Sequence, residues 1–344
     1  MIGAVSELAA AAWFGGRLAS DLVEVSHDPA DLDRPGWWAL ALTYEGALTA
    51  ARFATVAEQP LPNACWPGVP EESWTTSMDA GQYVAGVESI RASIAAGDVY
   101  QANLCRVLTA QVPPDADVAG LAGLLSVGNP APYGGFLRLP DHGVHVATAS
   151  PELFLRRSGE GGLVVESGPI KGTGRTAADL LPKDEAENVM IVDLVRNDLS
   201  RVCRPGSVTV PSLLAVEQHP GLVHLVSTVR GELEVGRGWA DMFAAAFPPG
   251  SVTGAPKSSA LRIIDTLEGR AREVYCGAVG WVDGTTGQGE LAVAIRTFWS
   301  DGAGALRFGT GAGITWGSDP YGEWVETQLK ASRLLSVAST RVAA

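Results

Sequence analysis

The sequence predicts a mixed α and β chain whose strands pair antiparallel. Two observations carry this reading. Short apolar or alternating runs bounded by Gly and Pro recur along the chain, and stretches with apolar residues at helical spacing stand between them. Size is a third consideration. At 344 residues, with 46% hydrophobic and 18% charged residues, the chain can bury a large core, as two domains or as one α/β or sandwich body. Its 41 glycines imply tight turns or close approaches of backbone to a ligand.

Residues 1 to about 60 mix short apolar runs, such as Trp37 to Leu42, with Gly and Pro, and show no legible chemistry. Pro60, Pro62, Pro67 and Pro70 mark a linker or an irregular loop. From Met78 to Ala96, Tyr83, Val87, Ile90 and Ile94 recur at helical spacing, and Gly97-Asp98 ends that helix. Val99 to Ala110 reads as a strand with Gln101, Asn103 and Cys105 on one face; the two amides either lie exposed or line a polar pocket. Strands at Val144 to Ala149, Leu153 to Arg156 and Leu163 to Glu166 join the segment around Lys171 in an antiparallel meander.

Residues 182 to 200 form an amphipathic helix with Asp184 and Glu187 on one face of its first turns. The helix dipole favours anions there with or without a ligand. Phe247 to Lys257, rich in Gly and Pro, feeds a helix with Pro256 at its start, a stripe of Leu261, Ile264 and Leu267, and a stop at Gly269. Strands follow at Val274 to Val282, Glu290 to Trp299 and Leu306 to Ile314. The last contains Gly309, Gly311 and Gly313, and backbone N–H groups at such a bend can hold a carboxylate. Asp319 caps a final helix with Pro320 at its first position. Glu323, Glu326 and Lys330 share one face of it, as a surface ion-pair stripe or as part of a cavity.

Composition narrows the partners. A net charge of −13 without a long Lys/Arg block argues against nucleic acid or an anionic membrane. Cys65, Cys105, Cys203 and Cys276 lie far apart, so neither a zinc site nor a disulfide framework is expected and a reducing cytoplasm fits. The apolar N-terminus lacks the basic flank of a signal peptide, and no window is long enough to span a bilayer.

Lys171 stands between an apolar strand and a Gly-Thr-Gly turn, where desolvation or a second cation would free its amine as a nucleophile. Glu187 and Glu326, on different helices, can share one hard divalent ion; Mg²⁺ takes oxygen ligands and keeps waters and substrate oxygens. Arg296, in the strand Leu-Ala-Val-Ala-Ile-Arg, is a fork-shaped carboxylate binder. With Lys330 and the glycine segment, these suit a small substrate with more than one carboxylate.

Eight blocks of sequence carry a resemblance. They are Gly-Asp-Val-Tyr-Gln-Ala-Asn-Leu (97–104), Ser-Pro-Glu-Leu-Phe (150–154), Pro-Ile-Lys-Gly-Thr (169–173), Ile-Val-Asp-Leu-Val-Arg-Asn-Asp-Leu (191–199), His-Leu-Val-Ser (224–227), Gly-Ser-Val-Thr-Gly-Ala-Pro-Lys (250–257), Tyr-Cys-Gly-Ala-Val-Gly (275–280) and Gly-Ala-Gly-Ile (311–314). In order and spacing they resemble the chorismate-utilising enzymes. The resemblance implies an α+β fold of large antiparallel sheets forming a sandwich flanked by helices. It divides the chain into residues 1–77 completing the fold, a chorismate-binding catalytic region at 78–336 and a tail at 337–344.

It also implies site roles. Mg²⁺ sits on Glu187 and Glu326, with Glu323 and Asp184 reaching it through water, and grips the ring carboxylate. Arg296, Tyr275 and the backbone of Gly311, Ala312 and Gly313 hold the enolpyruvyl carboxylate. Glu152 is the general acid for the C4 hydroxyl, and Lys171 attacks C2. His224 and Thr253 position the ring, Gln101, Asn103 and Thr173 line the substrate site, and Lys257 and Lys330 add positive charge.

Water-adding members are similar to one another in carrying lysine where this chain has Gln101, which cannot act as a base. Lys171 matches the members that form 4-amino-4-deoxychorismate, whereas anthranilate-forming members carry alanine. The chain lacks the Leu-Leu-Glu-Ser tryptophan motif of the latter. Gly168 and Cys105 depart from the family's usual arginine and hydroxyl residue. The resemblance implies ammonia from a glutamine amidotransferase subunit, for the p-aminobenzoate and folate branch. Anthranilate formation and a catalytically silent chorismate-binding scaffold are the alternatives.

Overall fold

A single hydrogen-bonded ladder organises the chain. The computed structural model describes residues 8–343 except 114, 175, 181, 220 and 221, so the first seven residues, on which the leader reading rests, lie outside the described residues. The segment before Met78 supplies β1 (Ala11–Phe14), β2 (Arg17–Ser26), β3 (Trp37–Leu42), β4 (Leu48–Glu58) and the short β5 (Thr75–Thr76). Helix α1 (Ala80–Ala95) starts at a capping box made by Asp79 and Gln82, and β6 (Gln101–Gln111) follows. Next come α2 (Val118–Gly128), β7 (Tyr133–Leu139), β8 (Val144–Ser150), β9 (Leu153–Ser158), β10 (Val164–Gly168), β11 (Ile170–Gly174) and α3 (Pro182–Ser200). A hairpin of β12 (Thr209–His219) and β13 (Leu222–Glu232) leads to α4 (Trp239–Ala246), β14 (Gly254–Ala255) and α5 (Lys257–Glu268). The chain closes with β15 (Ala278–Asp283), β16 (Gln288–Val293), β17 (Thr297–Ser300), β18 (Ala305–Ile314) and α6 (Pro320–Ser339).

Among the described residues, all 18 strands belong to one sheet. Along its hydrogen bonds the order is β6, β18, β17, β8, β7, β1, β2, β4, β3, β15, β16, β9, β10, β13 and β12, every pair antiparallel. Strands β5 and β14 lie on β6, and β11 lies on β13. The α+β class and the flanking helices match expectation. The two-sheet sandwich does not: the ladder never breaks into separate sheets, and accumulated twist curls it instead.

The expected meander is also corrected. Strands β8 and β9 do not pair; β17 lies on β8 and β16 on β9. Strands β10 and β11 run one after the other along β13. Pro151 and Pro169 sit at these two breaks, and a proline has no N–H to give a ladder. Residues 59–74 are the irregular loop rather than a free linker, because Trp66 is 1% exposed and bridges to Val342 near the C-terminus.

The helices cover the sheet with three apolar clusters. One joins α3 and α4 (Ile191, Val195, Leu199, Trp239) to the sheet, and a second lies beneath α2 and α6 (Leu121, Leu125, Leu334). The third lies under α1 and α5, where Tyr83, Val87 and Ile90 meet Ala260. On α5, Ala260, Ile263 and Leu267 pack into this cluster and Ile264 is buried beside them, a stripe turned slightly from the expected one. No helix is long and apolar enough to cross a membrane, among the described residues.

A buried ion pair ties the end of this ladder together. Arg272 and Glu268 have side chains 2% and 4% exposed and pair at 2.6 Å and 2.8 Å. Arg272 also donates to the carbonyls of Val252 (2.8 Å) and Asn103 (3.2 Å), and its guanidinium lies over the Tyr44 ring. Glu268 accepts from the Cys105 N–H at 2.8 Å. Removing one partner leaves the other charged and buried. Arg272→Ala is therefore expected to cost about 3–5 kcal/mol, whereas the joint change Arg272→Met with Glu268→Leu recovers most of that loss. Denaturant midpoints of the three proteins test this; a double variant no more stable than the single one contradicts it.

Candidate functional site

Lys171 and Glu152 converge on one residue, Ser251. The ladder register slips between Lys171 and Thr173, and Gly172 at the slip has φ +77, a bulge that glycine adopts without strain. A Cβ at Gly172 would lie 2.9 Å from the Asp184 Cβ, so this glycine also lets α3 approach the lysine's strand. Lys171 is half-buried, and its Nζ donates to the Ser251 carbonyl at 3.1 Å. Glu152 stands between β8 and β9, 4% exposed. Burial pushes its carboxyl up to about 7, although the Ser251 hydroxyl, the Lys171 charge and the Ile170 N–H act against burial. The side chain of Thr173 lies outside the described residues.

Around this centre lies a wall of buried polar groups. Gln101 is fully buried, and neither atom of its amide has a hydrogen-bond partner. Such a group is costly unless something else satisfies it. Asn103 is 6% exposed on the same face of β6. His224 is buried on β13 opposite Thr173. Thr253 is buried too, but its hydroxyl donates to the carbonyls of Pro249 (3.0 Å) and Gly250 (3.2 Å), so its proton serves the loop.

Arg296 differs from its sequence reading. It does not sit in a strand. The expected run Glu290 to Trp299 breaks into β16 and β17, with Arg296 between them at φ +51. The expected strand at Val274 likewise starts only at Ala278, after a turn with Cys276 at φ +64. The two kinks are stitched together: Cys276 N–H donates to Ala294 O at 3.0 Å and Ala294 N–H to Gly277 O at 2.9 Å. Left-handed backbone at a non-glycine residue costs of order 1–3 kcal/mol and persists only where its surroundings impose it. Among the described residues the Arg296 side chain has no hydrogen-bonded or ion-paired partner, and burial lowers its pKa while Glu152 acts to raise it. A desolvated guanidinium without a carboxylate suits an anionic ligand.

Tyr275 is 5% exposed, and its ring lies over Gly309, where a Cβ would come within 2.0 Å. Gly311, Ala312 and Gly313 do not form a bend. They continue β18 against Cys105, Leu104 and Asn103, and the bare Cα atoms of the two glycines make room for the Cys105 thiol and the Gln101 amide.

The acidic groups come from two helices. Asp184 and Glu187 project from the first turns of α3, Glu323 and Glu326 from those of α6. Burial raises the Glu187 carboxyl; the Asp184 and Glu326 charges add to this and Lys171 opposes it. Burial also raises Glu323, whose carboxylate accepts from Ser318 Oγ at 2.6 Å. At Glu326 burial is outweighed by Lys330, paired at 2.7 Å, and the carboxyl falls below its ordinary value. Lys330 also donates to Gly311 O at 3.2 Å. Glu187, Glu326 and Lys171 thus feel one another's charge across one cleft. Among the described residues no three His, Cys, Asp or Glu side chains stand as a finished ligand cluster. An all-oxygen, like-charged set split between two helices still fits a hard divalent ion that retains water and takes oxygens from its ligand.

Lys257 does not face the cleft. It pairs with Asp198 at 2.8 Å and donates to Ala246 O at 3.0 Å. Sequence reading missed Ser251, although it lies within the motif Gly-Ser-Val-Thr-Gly-Ala-Pro-Lys, and missed Ser318 and Arg272. Arg106 escaped as well: it is 2% exposed and donates to Thr327 and Gln328 of α6 from over the Trp324 ring.

Comparison with known proteins gives the family and supports the fold. The chain is 40% identical over 278 residues to aminodeoxychorismate synthase component 1 of Klebsiella aerogenes, covering 76% of this chain and 59% of that one. It is also 40% identical over 285 residues to anthranilate synthase component 1 of Streptomyces coelicolor, covering 79% and 54%. It therefore spans less than two thirds of the length of these relatives. Among solved structures, anthranilate synthase component I of Streptococcus pneumoniae superposes with a TM-score of 0.75 at 24% identity, over 88% of this chain and 81% of that one. The menaquinone-specific isochorismate synthase of Escherichia coli gives 0.78 at 17% identity, over 97% and 90%. Residues 41–336 match the chorismate binding enzymes as a family, and the chain belongs to that family.

Proposed function

We propose that the chain converts chorismate to 4-amino-4-deoxychorismate, using magnesium and ammonia supplied by a glutamine amidotransferase subunit. The observation that carries this reading is the buried Glu152 lying within reach of the Lys171 charge, with Lys171 Nζ donating to the Ser251 carbonyl beside it. Gln101, not a base, occupies the neighbouring wall, which favours amination over hydration.

Asp184, Glu187, Glu323 and Glu326 would hold the magnesium ion, which when bound supplies positive charge to the ring carboxylate. Arg296 takes the enolpyruvyl carboxylate, with Tyr275 and the Gly311–Gly313 backbone beside it. His224, Thr253 and Asn103 shape the ring's seat. Glu152 donates its proton to the departing C4 hydroxyl while Lys171 attacks C2. Glu152 must carry its proton at that moment, which its burial favours. Ammonia adds at C4 and releases Lys171, so one difficult displacement becomes two easier ones. A second reading, anthranilate formation, has the equally similar Streptomyces coelicolor relative in its favour. Incubation of the chain with chorismate, Mg²⁺ and ammonium separates them: 4-amino-4-deoxychorismate supports the first, anthranilate the second, and unchanged chorismate a silent scaffold.

Lys171→Ala is expected to lower amination by about two orders of magnitude or more while chorismate still binds, as calorimetry would report. An unimpaired variant refutes the covalent route. Arg296→Gln removes a charge-assisted contact of about 1.5–3 kcal/mol, so chorismate affinity falls roughly 10- to 150-fold with little change in thermal stability. Glu152 is protonated below its raised pKa of about 7 and loses that proton above it. The turnover rate at saturating ammonium should therefore fall as pH rises through that value, and Glu152→Gln should abolish this limb with about a 10²–10⁴-fold loss of rate.

A further inference from the structure

Behind Glu152, a small cavity of about 20 Å³, room for a water-sized molecule, lies between the sheet and α3. Glu152, Ser251 and Pro169 form part of its wall, so it adjoins the Lys171 and Glu152 centre directly. Much of the remaining lining is apolar, with Phe154, Val195, Leu199 and Val293 among it. Its other carboxylate, Asp198, is already neutralised by Lys257. No arginine or lysine lines it, so it offers nothing to a carboxylate of the main substrate.

We infer that this cavity is the seat of the second substrate, ammonia, and the space into which the departing C4 hydroxyl leaves as water. The inference rests on the proposed amination. The chemistry demands such a space beside Glu152, because the same carbon first loses a hydroxyl and then gains an amine. In the first half, the Lys171 amine forms the C2–N bond, two ring double bonds shift, and the C4–O bond breaks. The hydroxyl takes the Glu152 proton and departs as water, leaving a Glu152 carboxylate. In the second half, ammonium gives one proton to that carboxylate. The resulting ammonia forms the C4–N bond, the double bonds shift back, and the C2–N electron pair returns to Lys171. Glu152 and Lys171 end as they began, and the balance is chorismate plus ammonium giving the amino product plus water. An apolar wall suits this order of events, because it favours neutral ammonia over ammonium once the proton has moved.

Filling and enlarging the cavity test the assignment. With chorismate and Mg²⁺ saturating, Val195→Phe is expected to raise the KM for ammonium about tenfold or more while the KM for chorismate stays within about twofold. Leu199→Ala should admit methylamine as a substrate, giving an N-methylated product that the unmodified chain does not form. Equal rises in both KM values, or an unchanged ammonium KM in a folded Val195→Phe protein, overturn the inference. If Val195→Phe does not fold, Leu199→Ala decides, and failure to use methylamine rejects the seat. An unmodified chain that forms no 4-amino product removes the proposed function, and the inference with it. A chain that aminates while its ammonium KM ignores the filling change removes the inference alone.

Discussion

The pairing of Arg272 with Glu268 is the constraint on which the site's geometry depends. Two charges with almost no solvent exposure would be a liability if any hydrogen-bonding position were left open. Here the arginine meets both carboxylate oxygens, two backbone carbonyls and an aromatic face, while the carboxylate also receives a strand N–H. Three separate pieces of chain, β6, the loop at 250–253 and α5, are thereby locked at one point. Asn103 N–H donates to Thr253 O at 2.8 Å close by, which extends the lock toward Gln101. Polar residues that must wait unsatisfied for a ligand need such a frame, since a softer one would collapse onto them.

The cleft collects acids on a chain that is acidic overall, and it does so in an ordered way. Carboxylates from α3 and α6 face a few cations, of which Lys330 is committed to Glu326 and Lys171 to a carbonyl. Glu152, like Glu187 and Glu323, is raised mainly by burial, and its rise to about 7 lets it carry a proton near neutrality. Arg296 is the counterpart of opposite sign, desolvated and without a partner among the described residues, on backbone bent into a left-handed conformation. The arrangement separates the tasks. Under the proposed function, the acids between two helices would take the cation, the buried Glu152 would carry the proton beside Lys171, and Arg296 at the strand break would take the anion.

Much of this was legible along the chain. The helices at α1, α3, α5 and α6 follow from apolar spacing with Gly97, Pro256, Asp319 and Gly269 as stops and starts, since caps and periodicity are local properties. Glu152 and Lys171 were named from their motif blocks and Glu187 and Glu326 from shared helix faces, and the fold brings Lys171 near enough for its charge to act on all three carboxyls. Arg296 was read as a strand residue because its neighbours are apolar and branched. The strand nevertheless breaks there because residues 274–277, twenty positions earlier, take its hydrogen bonds. Gly311 and Gly313 were read as a bend for a similar reason: the pattern shows that a side chain is missing but not which neighbour needs the room.

By itself, then, the amino-acid order determined which segments are helical or extended, which side chains have the chemistry for an acid, a nucleophile or a metal, and to which family they belong. The tertiary structure alone decided that the strands close into one unbroken ladder, that Lys257 turns to Asp198, and that Ser251 joins the lysine to the glutamate. The physical reason is range. Helix caps and side-chain alternation act within a few residues, whereas burial, pKa displacement and the partner of a buried charge depend on groups hundreds of positions away, brought into contact only by folding.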